Sequence, residues 1–529
     1  MQTVRWRFGI LLEAVGVLVA FASVGLAQET TPPPSKYLGP TRCADCHNAP
    51  NPLRFRDFVL QTESARFIAE DKHVQAFELL KGELGQAMTK RLGITDITEA
   101  RQCLSCHAGW LQDQPKPPHF EFGVSCESCH GPSSQWDTPH SEPAWRLKSP
   151  ADKTKLGLFD VRNPVTRAEQ CFSCHIGNVE QGKVITHEMY AAGHPPLPSI
   201  EIESFVDQMP SHWRYLQEKG PFESRAEYVK LNYPQHPHDP GLDLPRTRST
   251  VVGGLVALRE SLELFSSQAK PENPQWPELA LFDCQACHHD LRSPSWRQQR
   301  DAQFAPGRPT LPEWPFALVN LSLRQIAGDD EAQYQKLAAE FTQHRQQLYA
   351  SIQKQPFGDK QAAGRAAEFA QWLEPHIQTL ATSRFDLPAA TRSIRELSTL
   401  GPKEFPDFHS ARQRVWALGI IQRERDTPYP TWPAAEPNTS ASERRAAEAA
   451  NIALFEKWRD DVFAPQRQAW ANRWERQKPP FDLPLILPSG QKQVIERNLP
   501  QSLQAISNYD AAVFRRLLDE LKATPQPRP

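Results

Sequence analysis

A mainly α-helical chain with long irregular loops is predicted by three observations. All ten cysteines fall within residues 41–291, in five short motifs that each end in histidine. The chain carries 49 prolines against 25 glycines, which predicts many stiff, irregular connections. Beyond the Pro-rich stretch from Ala305 to Pro312 cysteines cease and apolar residues recur at helical spacing, with no convincing period-two run of strand length.

The N-terminus reads as a leader. Arg5 and Arg7 form a positive start, and Ala14 to Ala27 is an uncharged, mostly apolar stretch ending in Val24-Gly-Leu-Ala27. This is the pattern of a secretory signal peptide over residues 1–27, cut after Ala27. Glu13 interrupts the apolar run and leaves little for a membrane span; an uncleaved anchor is the alternative. No other uncharged apolar stretch approaches spanning length. Balanced charge, 60 Lys and Arg against 62 Asp and Glu, gives no nucleic-acid footprint and no polybasic membrane patch. Peripheral membrane association stays open.

The motifs come next along the chain. They are Cys43-Ala-Asp-Cys46-His47, Cys103-Leu-Ser-Cys106-His107, Cys126-Glu-Ser-Cys129-His130, Cys171-Phe-Ser-Cys174-His175 and Cys284-Gln-Ala-Cys287-His288. Cys-x-x-Cys-His is the pattern of covalent c-type haem attachment. The two thiols add across porphyrin vinyl groups, and the adjacent histidine is placed to ligate iron. Zinc ribbons pair two Cys-x-x-Cys knuckles to complete four ligands, so an odd number, each followed by histidine, fits zinc poorly. Disulfides would leave the five histidines unexplained. Five c-type haems are therefore expected, in a domain spanning residues 38–300. Their apolar surfaces suit a modest 39% hydrophobic content.

Residues 312–529 are expected to form a helical C-terminal domain. Glu331 to Lys354 sets Tyr334, Leu337, Phe341, Leu348 and Ile352 near one helical face. Ser440-Ala-Ser-Glu443 reads as a capping box before a stripe of Leu454, Trp458 and Val462. Helices are also expected over Gln361–Trp372, Ala411–Arg425 and Ala511–Leu521. The stretches Pro234–Pro240 and Pro312–Pro315 read as loops.

Each iron needs a sixth ligand beyond its motif histidine, or stands open. His73 is the best-placed candidate, on an expected helix from Asp71 to Leu80 with His73, Phe77, Leu80 and Leu84 along one side. His140 follows the third motif in a loop. His194 lies in Ala191-Ala-Gly-His-Pro195, with His187 nearby, one of the two serving as ligand or as support. His119, His289, His212, His236 and His238 are weaker candidates, as are Met88, Met189 and Met209. His344, His376 and His409 read as surface or packing residues.

The order of motif, helical His, motif, then Gly123-Val-Ser-Cys-Glu-Ser-Cys-His-Gly-Pro132 and a loop His resembles the cytochrome c-554 family, relatives of hydroxylamine oxidoreductase. The resemblance covers roughly Leu38 to His194, with the fifth motif and the segment His187–Pro195 similar to extensions of larger multihaem members. It implies a multihaem cytochrome c domain. It also implies that His140 pairs with the haem on His47, that His73 serves the third or fourth haem, and that the haem on His107 lacks a protein sixth ligand.

Two functions follow. The first is a periplasmic electron-transfer protein, passing electrons through five haems between a redox-protein donor and acceptor. The second is a multihaem oxidoreductase acting on a small nitrogen or sulfur compound at an open-coordination haem. Cys-x-x-Cys-Lys, which often marks the catalytic centre of cytochrome c nitrite reductases, is absent from the sequence.

Overall fold

The computed structural model describes residues 34–48, 59–111, 114–213, 228, 230–233, 243–270, 272–288, 308–399 and 407–426. The chain divides into Met1–Pro34 and Ser35–Pro529, and every described residue but Pro34 lies in the second unit. The expected leader, the loop Pro234–Pro240 and the helices expected after Ser440 and over Ala511–Leu521 lie outside the described residues. Among the described residues the regular structure is helical, apart from one isolated bridge between Asn178 and Lys183.

Residues 35–213 fold as short helices joined by long loops. Pro40–His47, Arg101–His107, Cys126–His130 and Pro164–His175 each carry a motif at their C-terminal end. Local chemistry starts them. Proline opens two, where its missing N–H costs nothing. Asn163 Oδ1 accepts from the Val165 N–H at 2.9 Å, and Ser125 with Ser128 forms a reciprocal capping box.

The helix expected from Asp71 to Leu80 is instead two pieces, a 3-10 turn at Lys72–Gln75 and a turn of α-helix at Glu78–Lys81. The Asp71 carboxylate accepts from both the backbone N–H and the ring Nδ1 of His73, at 2.9 and 2.8 Å. That local bonding competes with a continuous helical ladder. Phe77 and Leu80 still pack inward, with Met88, Ile97 and Leu104, while Leu84 is exposed.

The largest departure from expectation is a 24-residue helix, Pro245–Gln268. It is buried nearly all round, so its apolar residues form no single stripe. Its first turn is capped across the chain by Glu424, whose carboxylate accepts from the backbone N–H groups of Arg246 and Thr247 at 3.0 and 2.6 Å. Gly254 lets the helix approach its neighbour closely, since a Cβ there would sit 2.7 Å from Leu318 Cβ.

Val319–Ala327, Ala362–Thr382 and Phe408–Asp426 pack on it, and Glu331–Lys354 and Leu387–Thr399 pack on those in turn. Glu331–Lys354 matches the sequence expectation at both ends; the helices expected over Gln361–Trp372 and Ala411–Arg425 run longer. One hydrophobic core runs from Val165 through Val251, Leu255 and Leu258 to Phe369, Leu373 and Ile421. Arg259 adds ion pairs to Glu169 and Glu374, at 2.6 and 2.8 Å. The line expected at residues 300–312 therefore does not divide two cores, because Pro245–Gln268 lies before it and packs on helices after it.

Candidate haem-binding site

Residues i, i+3 and i+4 share one helical face. The first four motifs use this spacing at helix ends, so both sulfurs and the imidazole of each point to the same side. The fifth ends a 3-10 turn, Cys284–Ala286, with His288 just beyond. The ten cysteines form no disulfide. Gly131, after the third motif, has φ +83°, and a Cβ there would meet the Gly157 carbonyl at 2.2 Å. Only glycine lets that turn press against the neighbouring backbone.

The first four motifs line a single cavity of about 1940 Å³, well above the about 300–1,000 Å³ of ordinary small-ligand pockets. Its thiols are crowded. Cys126 facing it, together with burial, raises Cys43, and Cys174 does the same to Cys106. Burial, then the charges of Cys171 and Cys174, pushes Cys129 up to about 12. Shielded sulfurs of this kind suit thioether bonds to an apolar macrocycle better than free thiolates. The fifth motif stands apart, with Cys284, Cys287 and His288 exposed.

Four motif histidines each face a histidine from elsewhere in the chain. His47 faces His140 with ring centres 6.2 Å apart and planes 15° from parallel. His175 faces His73 at 6.5 Å and 90°, and His107 faces His194 at 6.2 Å and 86°. His288 faces His187 at 6.2 Å and 24°. Metal–imidazole bonds of about 2.0–2.1 Å on both sides of one iron, with about 1 Å from each nitrogen to its ring centre, require about 6 Å between centres. The spacing fits one iron between each pair.

The rings are also oriented for the task. A ring whose Nδ1–H is held by an acceptor presents its Nε2 lone pair outward. His47 Nδ1 lies 2.9 Å from Glu63 Oε2, and His73 Nδ1 lies 2.8 Å from Asp71 Oδ1. His107 Nδ1 is 2.6 Å from the Ala76 carbonyl and His194 Nδ1 is 2.7 Å from the Pro195 carbonyl. His140 Nδ1 bonds the Asp137 carbonyl. Glu63 and Asp71 act oppositely to burial and raise His47 and His73 above the usual imidazole range.

Placement differs from expectation at two positions. His107, whose iron the resemblance left without a protein ligand, faces His194. His130 is the motif histidine that has no such ring opposite it among the described residues. Burial, followed by the charges of His212 and His47, lowers it to about 4. His119 is half exposed beside Glu121, and Met189 and Met209 line the cavity without standing in a facing pair. His344 and His376 pack on Phe369 and Trp372, away from the cavity. His289, His236 and His238 lie outside the described residues.

A cationic wall was not foreseen from any motif. Lys153, Arg162, Arg167, Arg246 and Arg248 all line the cavity, though no motif groups them. Arg167 donates through Nη2 to Glu203 and Ser249 at 2.8 and 2.7 Å, while its buried Nε has no partner. A buried donor left unmatched is costly and suits an anionic group such as a haem carboxylate. Pocket volume, paired imidazoles and this wall all fit c-type haem.

Residues 42–131 match the family model described as Cytochrome c554 and c-prime, a span holding the first three motifs. That segment belongs to the cytochrome c-554 family. Cytochrome c-554 of Nitrosomonas europaea is 21% identical over 232 residues, which cover 41% of this chain and 92% of that protein. No solved structure matches the chain. Similarity of this segment to the c-554 family points to c-type haem as the cofactor and electron transfer as the general role. No helix among the described residues is long and apolar enough to cross a membrane.

Proposed function

We propose that this chain is an exported, periplasmic cytochrome that passes electrons through five covalently attached haems between a redox-protein donor and a redox-protein acceptor. Haem iron supplies reversible one-electron chemistry, with its potential set by axial ligands, burial and hydrogen bonds. The chain's own part is to present imidazoles that would hold four of the five irons from both sides. The observation that carries this reading is the set of four facing histidine pairs at 6.2–6.5 Å, each joining a motif histidine to one outside the motifs. An iron ligated on both faces has no position for substrate and is left to exchange electrons. The acceptors on Nδ1 of His47, His73, His107, His140 and His194 fix those rings.

Intact-mass measurement of the exported protein after acid extraction tests it. Five haem increments on a chain beginning after Ala27 are expected, and three or fewer would overturn the pentahaem reading. Export is checked separately, by N-terminal sequencing of the periplasmic fraction. The second reading, an oxidoreductase acting on a small nitrogen or sulfur compound, is favoured by one observation: among the described residues His130 has no facing imidazole at the spacing of the other four. Low-temperature EPR of the oxidised protein separates the two, because an open iron is high-spin and countable.

A further inference from the structure

Among the described residues, eight histidines line the cavity that the first four motifs share. Six of them stand in the three facing pairs already described, and the remaining two are His130 and His212. That leaves one motif histidine and one from outside the motifs. The two rings are not set at the separation of the other pairs; a common cavity and matching preparation connect them.

His212 is prepared as the other non-motif histidines are. Its Nδ1 lies 3.2 Å from the Pro210 carbonyl, as His194 Nδ1 lies against the Pro195 carbonyl, so Nε2 is the uncommitted nitrogen. Phe67 and Trp213 meet its ring edge-on, at 5.6 and 5.2 Å between centres, and restrict its rotation. Met209 also lines the cavity, but thioether sulfur has no Nδ1 anchor to orient it, and the other four motif histidines all face imidazoles.

We propose that His212 is the sixth ligand of the haem attached at Cys126 and Cys129, opposite His130. This rests on the five-haem reading and deepens it, since it closes the last cavity iron and leaves no open centre there for chemistry.

The test uses the full exported protein, wild type and His212→Ala, with haem counted by intact mass and spin state by low-temperature EPR. The inference expects five haems in both proteins, no high-spin iron in the wild type and one in the variant. A high-spin signal already present in the wild type and unchanged in His212→Ala would overturn it. A haem count of three or fewer would instead overturn the pentahaem reading, so the two failures are distinguishable. Should His212→Ala not accumulate, carbon monoxide added to the reduced wild type gives the answer. Absence of a bound-carbonyl band supports a filled sixth position, and binding at one haem, unchanged in His212→Met, overturns it.

Discussion

His47 and His140 stand with their ring planes 15° from parallel, whereas His107 and His194, at the same 6.2 Å separation, are crossed at 86°. Imidazole π-orbitals acting in one plane split the iron d-orbitals strongly. Crossed planes leave two of them close in energy, which widens the magnetic anisotropy. Two pairs are near-parallel, with His187 and His288 at 24°, and two are crossed, with His73 and His175 at 90°.

Oxidised protein is therefore expected to show two classes of low-spin EPR signal, rhombic and strongly anisotropic. Replacing His140 by Ala should remove one rhombic signal and create one high-spin iron with five haems still attached, since thioether anchoring does not need the sixth ligand. Loss of an anisotropic signal instead would place His140 opposite a different motif histidine.

Asp71 holds both the backbone and the ring of His73. Asp71→Asn keeps an acceptor but removes the charge that makes the imidazole a stronger donor to ferric iron. A ten-fold weakening of ferric-state ligation corresponds to about 59 mV for one electron. An upward shift of that order in one haem potential, with the spin state unchanged, is expected in a spectroelectrochemical titration.

Haem also carries the N-terminal packing. Cavity formation costs about 24 cal/mol per Å³, so leaving about 1940 Å³ empty would exceed the about 5–15 kcal/mol of net stability several-fold. With all ten cysteines replaced by Ala, hydrogen exchange should lose protection over Pro40–His47 and Arg101–His107. The helices Pro245–Gln268 and Ala362–Thr382 pack on aliphatic neighbours and should keep theirs. Uniform loss across the chain would contradict this.

What was legible in the sequence was chemistry with a fixed local spacing. The ten cysteines and five motif histidines needed no fold to be found, and Glu331–Lys354 showed itself through one apolar stripe. Pro245–Gln268 did not, because a helix buried on every side scatters Val251, Val252, Leu255, Val256 and Leu258 among buried Arg and Glu. The partner of His107 was equally hidden. His194 lies 87 positions beyond His107 in the numbering, and nothing local to either says which iron they share.

Gly254 and Gly364 should respond oppositely to enlargement. A side chain at Gly254 meets Leu318 Cβ at 2.7 Å, whereas a Cβ at Gly364 meets open space. Overpacking costs about 1–3 kcal/mol, and removing a helical glycine returns at most about 1 kcal/mol. Gly254→Val should lower the denaturation midpoint and Gly364→Ala should raise it slightly.

His409 supplies an acid sensitivity unconnected with iron. Its Nδ1 lies 2.9 Å from Ser199 Oγ, and burial, reinforced by the Arg412 guanidinium and opposed by Asp283, holds it down to about 3. An unfolded histidine titrates near about 6.5. Its contribution is thus complete above that value and is lost as pH falls from there toward 3. Between pH 6.5 and 5 the loss is at most about 2 kcal/mol. Denaturant unfolding of His409→Asn should show a shallower decline over this interval than the wild type, and parallel curves would reject the assignment.

The six-residue helix His187–Ala192 begins with the histidine that faces His288 and is followed two positions later by the one that faces His107. An exposed histidine pair and a cavity pair thus share one short rod. Any nudge given to that rod from outside, as when another protein presses near His288, would be felt at His107 without passing through a single bond of the second motif.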